Sequence, residues 1–261
     1  MRMKILLFLV ATILATCHGS SDHGVSFNVF PLRMKTGSGG HYIPDVSCAS
    51  WTLGVEAHNI INWKTIPEEC EGYVGNYMIG QQYRSDSKTV CKQAYFYARS
   101  LNLPRDGKNI WVFDIDETSL SNLPYYAEHG FGLELYNDTA FNLWVDRAAA
   151  PVLPESLKLY NKLLSLGIKI AFLTGRPLSQ KDNTAKNLKL AGFYTWEKLI
   201  LKEPSTYSGK TAVTYKSAER KKLEEEGYRI IGNIGDQWSD ILGTTTGNRT
   251  FKLPDPMYYI S

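Results

Sequence analysis

The fold of this chain is decided by the stretch Asn109-Ile110-Trp111-Val112-Phe113-Asp114-Ile115-Asp116-Glu117-Thr118. Its first five residues form a short apolar run, which is typical of a buried strand. Side chains two apart in an extended chain share one face, so Asp114 and Asp116 are directed to the same place. Carboxylates this close repel one another, and the pair therefore indicates a bound cation or a divided acid–base role. Taken alone, the two aspartates suit a turn equally well.

Downstream of this stretch, apolar runs alternate with amphipathic segments. Residues 154–166 have apolar side chains at helical spacing, and Gly167 ends that helix. We expect, in chain order, a strand at 168–173, a helix at 179–190, a strand at 198–201, a charged helix at 217–226 and a strand at 228–234. Strands that alternate with helices of this length predict βαβ units, hence an α/β fold with a parallel sheet. Ligands bind such sheets beyond the carboxyl ends of the strands.

Polar residues stand at the other predicted strand ends as well. Thr174-Gly175-Arg176 offers a hydroxyl, a permissive backbone and a guanidinium, which suit an anion. Residues 235–240 add Asp236 and Asp240 at the same edge, and Lys216, at the start of the charged helix, supplies a positive charge. Each feature has an ordinary explanation as a turn, a helix cap or a solvated helix face. Their joint occurrence at strand ends favours a functional site.

The chain ahead of Asn109 has a different pattern. Aromatic and polar residues follow one another from residue 22 to 105 without sustained alternation, until Val90, Ala94 and Ala98 recur at helical spacing. The charged residues of this zone form no basic stripe, so it does not predict nucleic-acid binding. We expect residues 20–107 to form a mostly helical extension that packs on a core formed by residues 108–261.

The amino terminus carries a targeting pattern. Arg2 and Lys4 precede an apolar run at 5–15, and a small, polar stretch follows at 16–21. This arrangement is typical of a secretory signal peptide, which we place at residues 1–19; the alternative is a buried N-terminal helix. The apolar run is shorter than the ~20 residues of a membrane span. We therefore predict a soluble protein of the secretory pathway with no membrane contact in its mature form.

The overall composition is that of an ordinary globular protein. The chain has 261 residues, of which 43% are hydrophobic and 21% charged, and this excludes disorder and collagen-like structure. Its length suits one large domain, or one domain with an appendage. The net charge of +3 gives no reason to expect a polyanionic partner, and loss of Arg2 and Lys4 with the leader would lower it further.

Three cysteines remain once Cys17 is removed with the leader. They are Cys48, Cys70 and Cys91, so one of them stays free or pairs between chains. An oxidising compartment permits a bridge, and we expect Cys48 to pair with Cys70 because both lie in the same irregular stretch ahead of the helical pattern. The spacings do not match a zinc site.

Two short patterns match acceptor sites for N-glycosylation. They begin at Asn137 and Asn248, each followed two residues later by threonine. Such patterns are frequent by chance, so each predicts only a candidate surface site. Both would be usable in the secretory pathway.

The ordered motifs resemble the haloacid dehalogenase superfamily. More narrowly, the chain is similar to the plant acid phosphatases of the vegetative storage protein type. The resemblance implies a Rossmann-like three-layer sandwich with a mainly parallel sheet, a small helical cap insert at about 119–152 and an N-terminal helical extension. The superfamily motifs are 113–118, 172–176, Lys216 and 235–240, and the narrower likeness adds 123–126, 215–217, 233–238 and 251–254.

The resemblance also implies roles for residues of the predicted site. Asp114 matches the nucleophile that forms an aspartyl-phosphate, and Asp116 matches the general acid and base. Thr174 and the Gly175 amide match the phosphate holder, and Lys216 matches the cation beside the nucleophile.

A magnesium ion completes the implied site. Asp236 matches a Mg²⁺ ligand, together with the Asp114 side chain and the Asp116 backbone carbonyl. Asp240 matches a residue that holds the metal-bound waters or Lys216. Arg176 is expected as a further neighbour of the phosphate.

Two functions remain open at this point. The first is a secreted or vacuolar acid phosphatase that hydrolyses small phosphomonoesters, and the second is a storage glycoprotein with a vestigial site. Transfer of phosphate between sugars is a third, disfavoured by the family likeness. The sequence specifies neither the substrate nor the final compartment, and it leaves a homodimer open. The cap offers Tyr125, Tyr126, His129 and Trp144 as substrate contacts, although such residues more often pack.

Overall fold

The computed structural model describes residues 46–261; the predicted signal peptide, Cys17 and residues 20–45 lie outside the described residues. Five strands form one parallel sheet in the order β3-β2-β1-β4-β5. The central strand β1 is buried along its whole length, as its apolar composition requires. The strands are β1 Asn109–Phe113, β2 Lys169–Pro177, β3 Lys198–Lys202, β4 Arg229–Gly235 and β5 Thr250–Lys252.

Helices cover both faces of the sheet, so the predicted α/β three-layer sandwich is confirmed. Trp111 and Phe113 of β1 face the layer formed by α3, α6 and α7, and Ile110 and Val112 face the layer formed by α8 and α9. The helices are α1 Cys48–Glu56, α2 Glu71–Ile79, α3 Gln81–Ser100, α4 Leu123–Ala127, α5 Asp138–Asp146, α6 Pro154–Ser165, α7 Lys181–Leu190, α8 Pro204–Tyr207, α9 Ala212–Glu225 and α10 Trp238–Ile241. Within residues 46–261, no helix combines the length and apolar character needed to cross a membrane.

The strand order places a topological switch point at β1. The chain continues from β1 to β2 and β3 on one side and then returns to β4 and β5 on the other. Phe113 pairs in register with Phe172 of β2 and Ile234 of β4, and the Asp114 amide donates to the Ile234 carbonyl at 3.0 Å. The residues after these strands therefore meet at one edge of the sheet, where a parallel sheet opens a crevice.

The segment ahead of β1 is more regular than its sequence pattern predicts. Cys48 begins α1 and Cys70 ends a short 3-10 turn before α2, so both cysteines lie in helical turns, while residues 57–67 between those turns are irregular as expected. The hydrophobic period is hard to read in two helices of nine residues each. The Ser47 side chain caps α1 by accepting from the Ser50 amide at 3.2 Å. Cys48 and Cys70 form a disulfide, and Cys91 is free and buried in α3.

The segment between β1 and α6 contains α4, α5 and a 3-10 turn at Gly130–Gly132. It packs against α1, α2 and the C-terminal segment in a second apolar core that includes Trp51, Trp63 and Met257. Gly132 has φ +98°, and a Cβ there would lie 1.9 Å from the Met257 carbonyl oxygen. Only glycine fits this close approach between the C-terminal segment and the segment from β1 to α6, which is the cap predicted at about 119–152.

Candidate active site

Lys216 and Asp114 form a buried ion pair at the carboxyl end of β1. The Lys216 Nζ lies 2.6 Å from Asp114 Oδ1, and it also contacts Asp240 Oδ1. Burial raises the pKa of Asp114 well above its ordinary value, although the Lys216 ammonium opposes this shift. Burial alone would lower the pKa of Lys216, but Asp114 and Asp240 outweigh it and raise that pKa. Lys216 is therefore a fixed positive charge between two carboxylates.

The position of Lys216 within its helix corrects the sequence-based expectation. The expected helix begins at Ser217 with Lys216 at its start, whereas α9 begins at Ala212 and Lys216 is its fifth residue. Thr211 caps the helix, since its hydroxyl accepts from the Thr214 amide at 3.2 Å. The extra turn directs Lys216 from the helix toward the edge of the sheet, where it is only 6% exposed.

Asp116 is paired with Arg176 rather than left as an isolated acid. The guanidinium donates from Nη2 to Asp116 Oδ1 at 2.7 Å and from Nε to both carboxylate oxygens at 3.1 Å. The Thr174 hydroxyl donates to Asp116 Oδ2 at 3.2 Å. Burial on its own would raise the pKa of Asp116, but the Arg176 guanidinium outweighs it and holds that pKa below its usual range. The arginine that we expected beside the phosphate therefore contacts the predicted acid–base residue.

Asp236 is surrounded by neutral hydrogen-bond donors. Thr118 Oγ1 donates to Asp236 Oδ1 at 2.9 Å, and Oδ2 accepts from Gln237 Nε2 at 2.9 Å and from the Tyr258 hydroxyl at 3.1 Å. Burial raises the pKa of Asp236 to about 6, and the nearby charge of Asp240 acts in the same direction. Within residues 46–261 this carboxylate has no ion pair like those of Asp114 and Asp116, and the charge of Lys252 offsets the effect of burial only in part.

Three of the carboxylates are placed to share one cation. Asp114, Asp236 and Asp240 each present an oxygen within 4.8 Å of the others, and all three are buried. Oxygen ligands with this concentration of negative charge fit a hard divalent ion such as Mg²⁺. Gly235 makes the arrangement possible, because a Cβ at this position would lie 2.2 Å from Asp240 Oδ2. Asp240, which the resemblance placed beside the metal waters or Lys216, contacts Lys216 and belongs to this group.

Glu117 is a buried residue to which the sequence analysis assigned no role. Its carboxylate accepts from the Tyr83 hydroxyl of α3 at 2.7 Å, from the Asn122 amide at 2.7 Å and from the Ser121 hydroxyl at 3.2 Å. Burial raises its pKa to about 7. Its φ of +49° is unusual outside glycine. The available signal was its place beside Asp116, but its partner on α3 is a long-range contact that spacing does not reveal.

A cavity of about 330 Å³ opens over these residues. Asp114, Asp116, Gly175, Arg176 and Lys216 line it, as does Asp240, whereas the fully buried Thr174 and Asp236 stand behind the wall. The Gly175 backbone is uncrowded, with nothing within 4 Å of a Cβ built there. The predicted anion-binding strand ends and the carboxylates therefore converge on one concave surface.

The cap lines this cavity mostly with residues other than those expected. Of the four candidate contacts, Tyr126 lines the cavity, together with Tyr136 and Phe141. Tyr125 instead stacks on His129 with ring centroids 4.1 Å apart, and it packs against Trp144 at 5.9 Å. Tyr125, His129 and Trp144 are thus packing residues. The sequence pattern shows that these aromatics are clustered but not which of them face the cavity.

The two glycosylation patterns lie on the surface of the described chain. Asn137 and Asn248 are both exposed. The Asn137 side-chain oxygen also caps α5, accepting from the Ala140 amide at 3.0 Å. The structure thus leaves both side chains accessible to modification.

Residues 33–261 match the family model described as HAD superfamily, subfamily IIIB (Acid phosphatase). The fold is similar to that of the class C acid phosphatase from Bacillus anthracis, with a TM-score of 0.61 and 21% identity. That alignment covers 72% of this chain and 85% of the bacterial chain.

Plant relatives extend the similarity over the whole chain. The stem 28 kDa glycoprotein of Glycine max is 56% identical over 100% of both chains. Acid phosphatase 1 of Solanum lycopersicum is 46% identical over 99% of this chain and 100% of its own length. Vegetative storage protein 2 of Arabidopsis thaliana is 44% identical over 99% of this chain and 97% of its own. The chain therefore belongs to the acid phosphatases of the haloacid dehalogenase superfamily, subfamily IIIB.

Proposed function

We propose that this acid phosphatase hydrolyses small phosphomonoesters through a covalent phosphate on Asp114, with Mg²⁺ as its cofactor. The observation that carries the proposal is the ion pair of 2.6 Å between Asp114 and Lys216 at the base of the cavity. A carboxylate oxygen held beside a permanent cation is positioned to attack a phosphorus atom, because the ammonium offsets the charge of the incoming phosphate.

Asp114 and Asp116 have different roles in both halves of the reaction: Asp114 carries the phosphoryl group and Asp116 transfers the proton. An Asp114 oxygen forms a bond to phosphorus while the ester P–O bond breaks, and Asp116 gives a proton to the departing oxygen. A water molecule then attacks phosphorus, Asp116 takes up its proton, and the bond to Asp114 breaks to release phosphate. Arg176 orients the Asp116 carboxylate at 2.7 Å, but it also lowers the pKa of that group. We infer that a bound phosphate draws the guanidinium toward itself, which lets Asp116 take up the proton that it donates.

The phosphate oxygens need positive or hydrogen-bonding neighbours during both steps. Lys216 supplies a charge, and the exposed Gly175 amide supplies a donor on the cavity wall. The Thr174 hydroxyl lies behind that wall, where it binds Asp116 and accepts from the Arg176 amide at 3.2 Å. We infer that, when substrate binds, the Thr174 hydroxyl gives up its hydrogen bond to Asp116 and donates to a phosphate oxygen instead.

Asp114, Asp236 and Asp240 are the side chains that would hold the metal, with the Asp116 backbone carbonyl as a further ligand. Bound Mg²⁺ would supply positive charge that stabilises the transferring phosphoryl group. Asp240 has a second task, because it shares Lys216 with Asp114 and so fixes the ammonium between them.

The relatives support a second role as a stored glycoprotein. Proteins named for stems and for vegetative storage are among them, and Asn137 and Asn248 are exposed here. We infer export through the secretory pathway to the cell exterior or the vacuole, and the disulfide between Cys48 and Cys70 agrees with an oxidising compartment. Storage does not require loss of activity, and this chain retains Asp114.

An assay with an aryl phosphate tests the catalytic proposal. We expect turnover by the purified protein to require Mg²⁺ and to be abolished in Asp114→Asn, which keeps the size of the side chain but removes the nucleophile. Lys221→Met is a matched control, because Lys221 is an exposed residue of α9 outside the cavity. Equal turnover by wild type and Asp114→Asn would refute a role for Asp114 and leave the storage role.

A trapped analogue tests the arrangement itself. A crystal structure with a metal fluoride is expected to show the phosphate mimic beside Asp114, Lys216, Gly175 and Thr174. A mimic bound elsewhere in the cavity would contradict the assigned roles.

A further inference from the structure

Two lysines line the cavity without any partner inside the described chain. Lys202 ends β3 and Lys210 precedes α9, and both belong to the wall that also contains Asp114. Within residues 46–261, neither ammonium has an ion pair or a hydrogen bond to a protein atom. Other lysines of the same elements are paired, as in Lys198 with Glu226 at 2.7 Å and Lys222 with Glu219 at 2.7 Å.

The inner cations of the cavity are already engaged by carboxylates. Lys216 lies between Asp114 and Asp240, and Arg176 is held by Asp116. A phosphoryl group that reaches Asp114 therefore lies beside cations whose charge is already offset by carboxylates. Lys202 and Lys210 are thus the uncompensated positive charges of the cavity wall in residues 46–261.

The sheet places Lys202 away from the reacting phosphorus. β3 is separated from β1 by β2, and strands lie about 4.8 Å apart, so its backbone is displaced sideways by about 10 Å from that of Asp114. Lys202 pairs in register with Pro177, which lies beyond Thr174 along β2. Its ammonium is therefore suited to a part of the substrate other than the phosphate under attack.

The part of the wall formed by the cap differs in chemistry. The cap presents Tyr126, Tyr136 and Phe141, and its one lining carboxylate, Asp138, accepts from Asn142 Nδ2 at 2.9 Å. An anionic group on the substrate would be repelled by Asp138 and drawn to the side formed by β3 and the segment before α9. The cavity wall thus has a polarity: its free positive charges lie at β3 and before α9, and a carboxylate lies on the cap.

From this polarity we propose that the enzyme prefers phosphomonoesters that carry a second anionic group, a phosphate or a carboxylate, which Lys202 and Lys210 bind. The inference rests on the proposed phosphatase activity and specifies its substrate class. The second group remains intact, and its role is to anchor the ester so that the first phosphate reaches Asp114.

A matched series of four-carbon esters tests this preference. The probes are butyl phosphate, the bisphosphate of butanediol, and the phosphate ester of hydroxybutyrate, which carries a carboxylate. At constant ionic strength we expect kcat/KM per ester group to be about fivefold higher for each probe with a second anionic group than for butyl phosphate. The gain should come mainly through KM, and its size suits ion pairs with one half-exposed and one exposed lysine. Comparison of the bisphosphate with the carboxylate-bearing ester shows whether the lysines prefer a second phosphate or bind any negative charge.

The ratio to follow is kcat/KM for a probe with a second anionic group divided by kcat/KM for butyl phosphate. Lys202→Gln and Lys210→Gln are each expected to lower this ratio, and the double variant is expected to bring it close to one. Lys198→Gln is the matched control, because it removes a lysine from the same strand outside the cavity. Added salt is expected to reduce the wild-type ratio more than that of the double variant.

The outcomes separate this inference from the proposed function. Failure of every probe to turn over in wild type would refute the phosphatase assignment itself. Turnover with a ratio of one in wild type, or equal losses for all three probes in the double variant, would overturn the second anionic site while leaving the phosphatase intact.

Discussion

Two groups of buried or half-buried carboxylates meet at the active site, and they are neutralised in different ways. The front group, Asp114, Asp116 and Asp240, contacts Lys216 and Arg176. The rear group consists of Glu117, Asp236 and Asp255. Its carboxylates are held by uncharged donors: Tyr83, Thr118, Ser121, Gln237, Tyr258 and backbone amides.

The pKa directions follow this difference at Asp116 but not at Asp114, whose pKa burial raises despite the Lys216 ammonium. Burial raises the pKa of Glu117 to about 7 and that of Asp236 to about 6, and it raises the pKa of Asp255 well above its usual range. In the front group, Arg176 reverses the effect of burial on Asp116. The comparison shows that the rear group requires protons or an added cation, and Asp236 connects it to the group that can hold Mg²⁺.

The largest expected effect comes from removing the cation of the front group. Lys216→Met leaves Asp114 and Asp240 facing each other without the ammonium, and we expect kcat to fall about a thousandfold. The loss of a buried charge partner should also lower the free energy of unfolding by about 3 kcal/mol. Steady-state kinetics and urea unfolding measure both, with Lys221→Met as control. A loss of kcat below tenfold would contradict the assigned role of Lys216.

The second prediction concerns the link between the two groups. Mg²⁺ at a hundredfold excess over its Kd should stabilise the wild-type protein by about 2.7 kcal/mol, since it binds the folded state. Thermal unfolding with and without Mg²⁺ measures the effect. Asp236→Asn should abolish this stabilisation, whereas Asp255→Asn should retain it because Asp255 belongs to the rear group alone. A Mg²⁺ response that depends on Asp255 and survives in Asp236→Asn would reverse the assignment.

A third variant probes the rear group through the helical extension. Tyr83→Phe removes one hydroxyl, which donates to the fully buried Glu117 carboxylate at 2.7 Å. We expect the free energy of unfolding to fall by about 2 kcal/mol, because a hydrogen bond to a buried charge is lost. In Tyr77→Phe, where the lost partner is the less buried Asp86 at 2.9 Å, the loss should be smaller. Equal losses in denaturant unfolding would show that Glu117 is not a special acceptor.

The smallest effect is expected at Tyr258. Its hydroxyl contacts Asp236 at 3.1 Å and its ring stacks on Tyr126 of the cap at 5.0 Å. Tyr258→Phe keeps the stacking and removes the donor that orients a predicted metal ligand, so Mg²⁺ should bind about tenfold more weakly. Titration calorimetry measures this directly. Unchanged Mg²⁺ affinity would mean that Gln237 and Thr118 suffice to orient Asp236.

The sequence predicted the front group better than the rear group, for a topological reason. Asp114 directly follows β1, Asp116 lies two residues further on, and Thr174 continues the apolar run of its strand; of the rear group, only Asp236 directly follows a strand. Parallel strands necessarily bring such positions to one edge. The rear group depends on Tyr83 and Tyr258, which come from a helix and from the C-terminal segment. No strand register connects those elements to the sheet, so spacing in the sequence cannot place them.

Sequence spacing likewise does not show which side chains of the predicted site contact one another. The residue types of Asp116 and Arg176 were identified, but their contact depends on side-chain geometry beyond the strand ends. The start of α9 was misplaced because the charged segment after Lys216 is the stronger pattern, while the cap at Thr211 is weak in sequence. The extension was expected to be mostly helical, but the bounds of its short helices α1 and α2 were not predicted, because nine residues show no readable period.

The burial of Cys91 bears on how the folded protein preserves its disulfide bond. Cys91 is 4% exposed in the core face of α3, and burial raises its thiol pKa to about 12. Exchange between thiols and disulfides proceeds through the thiolate, and this thiol remains protonated and shielded. The odd cysteine is thereby kept from attacking the bridge between Cys48 and Cys70. Once α3 has docked, the protein can persist in an oxidising compartment without scrambling its own connectivity.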